Sequence, residues 1–132
     1  MKNPLSYLLI LLSLALSTTA FAKPIKKEVS AGRTSAILSY FVYDESRCTN
    51  LAPPKIGKLV AENGRLSSKI GSGVKKGGPC NGKRFKTVNI YYKPNSGFRG
   101  SDKASATFRF PRFIDGSGGL ISRKVKFNIT VK

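Results

Sequence analysis

The sequence contains no histidine and no tryptophan, and its one methionine is Met1. Without an imidazole there is no Ser-His-Asp or Cys-His machinery and no His-ligated metal centre. Acids are scarce as well: 6 Asp and Glu stand against 24 Lys and Arg, for a formal net charge of +18. Thiols are limited to Cys48 and Cys80. No window makes a convincing amphipathic helix, because glycine, proline and β-branched residues interrupt each one. At 132 residues the chain has room for one ordinary domain and not for a second with its own core.

The longest apolar run, Leu8 to Leu16, lies near the start, preceded by Lys2 and followed by the small-residue pattern Ala20-Phe21-Ala22. That order predicts a secretory signal peptide over residues 1–22. The run is well short of the roughly 20 residues a membrane-spanning helix needs. No cysteine stands at the expected cleavage point, so no lipid attachment is expected there. Removing this leader, in which Lys2 is the one charged residue, takes the net charge from +18 to +17. The expected product is exported, to the periplasm or beyond the cell. It consists of a basic leader over residues 23–32 and a domain over 33–132.

In an oxidising compartment Cys48 and Cys80 are expected to form one disulfide. A redox pair or a metal dithiolate is disfavoured, because no Cys-x-x-Cys spacing and no histidine supports either.

Residues 23–30 (KPIKKEVS) read as a mobile leader or a first edge strand, and residues 33–44 (RTSAILSYFVYD) as the first strongly β-prone run. That run is apolar on both faces, which fits a strand buried on both sides or one crossing between sheets. Residues 45–54 read as punctuation. Asn63-Gly64, between residues 55–61 and 65–70, predicts a type I′ hairpin. The glycines of residues 71–82 (GSGVKKGGPCNG) predict an exposed loop pinned at Cys80. Farther on the alternation is cleaner: Val88, Ile90 and Tyr92; Ala104, Ala106, Phe108 and Phe110; Val125, Phe127, Ile129 and Val131. Each set predicts a half-buried strand. Short strands with frequent turns predict an all-β, antiparallel β-sandwich. Gly116-Ser117-Gly118-Gly119 lacks a following helix, so it reads as a connection between the last two strands and not as a phosphate loop.

Residues 92–102 (YKPNSGFRGSD) carry a motif with a physical logic. Pro94 fixes φ as a strand ends, Gly97 and Gly100 supply backbone angles closed to other residues, and Phe98 can cover an open end of the core. The carboxylate of Asp102 can accept bonds from turn amides. With Tyr92, these residues resemble the Tyr-x-Pro-x-x-Gly-Phe-x-Gly-x-Asp hallmark of bacterial Ig-like or cadherin-like domains of exported and surface proteins. Ala104 and Ala106 stand where that family usually has aromatics. The resemblance implies an immunoglobulin-like sandwich used for adhesion, assembly or recognition, without catalysis and without a cofactor. Some family members bind calcium, but here Asp102 is the one acid in the motif, and a calcium site needs several converging oxygens. No metal is expected.

Charge is then the functional clue. If the last strand turns its apolar residues inward, Lys124, Lys126 and Lys132 project from the other side, with Arg123 near one end and Arg109 extending the surface from the preceding strand. Lys75, Lys76, Lys83 and Arg84 form a second cluster around Cys80. A field this positive attracts polyanions. The expected partner is an anionic envelope polymer or an acidic protein. Nucleic acid is disfavoured because no nucleic-acid module matches, although Tyr43, Tyr91 or Phe113 has the chemistry to stack on bases. Asp44-Glu45 and the serines offer no recognisable acid-base pair or Ser-Lys dyad, so an enzyme is not expected. A structural domain with no dedicated ligand is the alternative.

Overall fold

Nine strands follow one another in the computed structural model, which describes residues 22–113 and 115–132. They are β1 (Ile25–Val29), β2 (Ser35–Tyr40), β3 (Tyr43–Asp44), β4 (Thr49–Asn50), β5 (Lys55–Ala61), β6 (Gly64–Val74), β7 (Arg84–Pro94), β8 (Gly100–Pro111) and β9 (Leu120–Val131). No helix occurs among the described residues. The signal-peptide expectation lies, apart from Ala22, outside them.

The strands form a four-stranded sheet in the order β1-β9-β8-β5 and a three-stranded sheet in the order β2-β7-β6, with β3 and β4 as a small separate pair. The two larger sheets face each other across one core, so the molecule is a β-sandwich. Ile37, Val88, Ile90 and Tyr92 come from one side, and Ala106, Phe108, Phe127 and Ile129 from the other. Tyr40 stacks on Phe108 across the gap, with ring centroids 5.1 Å apart. Each set of alternating residues in β7, β8 and β9 turns inward, because every second side chain of a strand points to the same face.

The expected antiparallel arrangement holds for every pair except the first. Of the two readings open for residues 23–30, the strand is realised: β1 runs parallel to β9, from Ile25 opposite Phe127 to Val29 opposite Val131. Val29 supplies the reason, since it is buried against the core and needs a strand partner for its backbone.

The Asn63-Gly64 hairpin is not formed. β5 pairs with β8 and β6 with β7, so the chain crosses from one sheet to the other at this point. Gly64 does not adopt positive φ. It is required because a Cβ there would lie 2.5 Å from the Tyr92 ring.

The loop expected over residues 71–82 begins later, because β6 continues to Val74. Gly73 belongs to that strand and leaves space for the Phe85 ring, which a Cβ would approach to 2.5 Å. The remaining loop is closed by backbone bonds from Lys75 to Lys83 (2.9 Å) and from Gly82 back to Lys75 (2.9 Å). Residues 45–54 are also more ordered than punctuation implies, since Thr49–Asn50 pairs with Tyr43–Asp44.

Candidate functional site

The motif of residues 92–102 acts as a clamp between the sheets. Tyr92, fully buried on β7, donates its hydroxyl to the Asp102 carboxylate on β8 at 2.6 Å. The same carboxylate accepts the backbone N–H of Asn63 at 3.1 Å, fixing the crossover between β5 and β6. Pro94 closes β7, Gly97 and Gly100 have φ of 77° and 119°, and Phe98 packs on the rim of the core. Burial first, and then the Asp102 carboxylate, hold the Tyr92 pKa well above that of an ordinary tyrosine. These residues are structural.

Cys48 and Cys80 form the disulfide, with Cα atoms 5.2 Å apart. It ties the turn after β3 to the loop between β6 and β7. Such a bond fits an oxidising compartment. No described helix is long and apolar enough to cross a membrane.

The basic residues singled out in the sequence do not share one surface. Residues paired across a sheet point to the same side. Because Val125, Phe127 and Ile129 face the core, Lys124 and Lys126 face outward, opposite Thr107 and Ser105 of β8. The same outer face receives Lys103 and Arg109 from β8, Lys55 from β5 opposite Arg109, and Lys26 from β1 opposite Asn128. All six are exposed. Their one acidic neighbour from the paired strands, Glu28, is already engaged by Lys132 at 3.0 Å. Ser105, Thr107, Asn128 and Thr130 fill the spaces between them.

Arg123 departs from this face. It lies opposite Phe108 on the inward register of β9, with its guanidinium 5.9 Å from the centre of the Phe110 ring. The cluster around Cys80 belongs to the end of the other sheet, in and beside the β6–β7 loop. Within it Lys75 is occupied, in an ion pair with Glu45 and 5.0 Å over the Tyr43 ring. Lys76, Lys83 and Arg84 are exposed.

Lys26, Lys55 and Lys103 were not singled out in the sequence. The alternation of Lys103 with Ala104 and Ala106 carries the signal for one of them. Lys55 joins the face only through the pairing of β5 with β8, which no local pattern announces.

At one open end of the sandwich lies a groove of about 730 Å³. Its apolar wall includes Val42, Leu51, Phe110, Phe113 and Leu120, and its edge carries Lys55, Arg109, Arg112 and Arg123. Lys55 and Arg109 therefore belong to both the groove and the flat basic face. Among the described residues no group of three or more Cys, Asp or Glu is placed to hold a metal ion.

Comparison with protein-family models, with curated proteins and with solved structures finds nothing that matches this chain.

Proposed function

We propose that this protein is an exported, non-catalytic immunoglobulin-like module that binds an anionic polymer of the cell envelope through the outer face of the β1-β9-β8-β5 sheet. The immunoglobulin-like reading is supported by the two sheet orders, by the parallel pairing of the first strand with the last, and by the motif from Tyr92 to Asp102. The disulfide supports export.

The observation that carries the binding reading is the charge of that face. Lys26, Lys55, Lys103, Arg109, Lys124 and Lys126 have no carboxylate within salt-bridge distance among the described residues. Neighbouring strands lie about 4.8 Å apart, and alternate residues along a strand about 6.8 Å. A polymer laid across the face thus meets closely spaced cations, which remain hydrated and bind mainly by releasing counterions.

The test is retention on immobilised polyphosphate and on isolated envelope polymer as salt is raised. The double substitution Lys124→Glu/Lys126→Glu is expected to elute at much lower salt. Arg65→Glu/Lys93→Glu changes net charge by the same amount on the opposite sheet, where the two residues pair, and is expected to elute near the parent. Equal losses in both variants would show attraction by net charge alone. No retention at low salt would leave a structural domain without a ligand.

A further inference from the structure

The groove differs from the flat face in chemistry. Phe113 and Leu120 are 56% and 57% exposed at its mouth, although both are large and apolar. A chain that buries Phe108 and Phe127 almost completely leaves these two uncovered beside Val42 and Leu51. The groove lining includes no Ser, Thr, Asn or Gln side chain. Apart from the Tyr40 hydroxyl, the neutral side chains of the lining are apolar, which suits a hydrocarbon chain.

The edge supplies the second half of the recognition. Lys55, Arg109, Arg112 and Arg123 stand against Asp115 alone, and that carboxylate is already turned back to the Ser117 amide at 2.9 Å. Arg123 is on the inward register of its strand yet exposed, with its guanidinium 5.9 Å from the centre of the Phe110 ring. Guanidinium groups suit phosphate through paired, planar hydrogen bonds. The volume lies within the roughly 300–1,000 Å³ range of small-molecule sites.

We propose that the groove binds one monomeric, single-chain amphiphile with a phosphate head. Its hydrocarbon tail lies against Phe113 and Leu120, and its head meets Arg112 and Arg123. The proposal does not rest on polymer binding by the flat face, because Arg123 lies on the inward register, Arg112 and Phe113 lie in the β8–β9 connection, and Leu120 lies at the start of β9, away from Lys124 and Lys126.

The test is titration calorimetry of the purified protein with monomeric dodecyl phosphate, using monomeric dodecyl maltoside as a probe of the same tail on an uncharged head and inorganic phosphate as a probe of the head alone. Dodecyl phosphate is expected to bind one per chain with a negative heat-capacity change, and each partial probe at least tenfold more weakly. Arg123→Gln is expected to weaken dodecyl phosphate at least tenfold, and Leu120→Asp to abolish binding, each with an unchanged circular dichroism spectrum. Lys124→Glu/Lys126→Glu is expected to stay within twofold of the parent, which separates this site from the flat face. Equal affinity for either partial probe would overturn the proposal, as would the absence of saturable binding. Binding confined to anionic lipid vesicles would show a membrane-docking surface instead, and concentration-dependent dimers blocked by Leu120→Asp would show a self-association surface; either result overturns it.

Discussion

Asp102 shows how much a single side chain can organise. Its carboxylate is almost completely buried and accepts bonds from a strand hydroxyl and a crossover amide. Asp102→Ala strands both donors, and an unsatisfied buried group costs about 1–3 kcal/mol. Urea unfolding is expected to show a loss of about 2–4 kcal/mol, with Tyr92→Phe losing about 1–2 kcal/mol. Tyr92 also sets an alkaline limit. Its pKa is raised in the folded state, so above the ordinary value of about 10 the unfolded chain gives up a proton that the folded chain keeps. The unfolded state then binds fewer protons, and stability falls as pH rises. Tyr92→Phe is expected to flatten that decline in unfolding measurements from pH 9 upward (roughly one unit below the ordinary value). Gly64→Ala places a methyl group against the Tyr92 ring and the Lys93 carbonyl, and is expected to cost about 1–3 kcal/mol through overpacking.

Strands with one buried face were legible because alternation is a local signal, and β7, β8 and β9 carry it over their whole cores. The crossover at Asn63 was not. Asn-Gly favours a tight hairpin in isolation, yet here the Asn63 amide has a partner thirty-nine positions away in Asp102, and the glycine serves the Tyr92 ring instead of a turn. Gly71 and Gly73 misled for a related reason, since their space is occupied by side chains of the neighbouring strand. The groove was illegible altogether, because its walls come from the segment after β2, from the approach to β5 and from the β8–β9 connection. The disulfide was legible from count and compartment. It closes a sequence separation of 32, and Cys48→Ser/Cys80→Ser is expected to lose about 3–4 kcal/mol on the chain-entropy account. Equilibrium urea unfolding of the double variant measures it.

A formal charge of +18 in 132 residues, with three ion pairs among the described residues to offset it, makes the folded state repel itself. Screening by salt is therefore expected to stabilise the molecule, with the thermal midpoint rising by several degrees as sodium chloride goes from about 10 mM to about 300 mM, where the Debye length falls from about 30 Å to well under 10 Å. Scanning calorimetry checks this; a midpoint that falls or stays level would show that repulsion is already compensated. The parallel pairing of β1 with β9 has a mechanical consequence. The chain enters the fold beside Phe127 and leaves it beyond Val131, at opposite ends of the same two-stranded ribbon. Tension applied through the two termini slides these strands past each other and loads their hydrogen bonds together, instead of peeling them open one at a time. Pulled end to end, the domain should yield at a higher force than when gripped at Lys132 and Gly100, adjacent ends of the antiparallel pair from which β9 unzips from β8, and single-molecule stretching would tell the two apart.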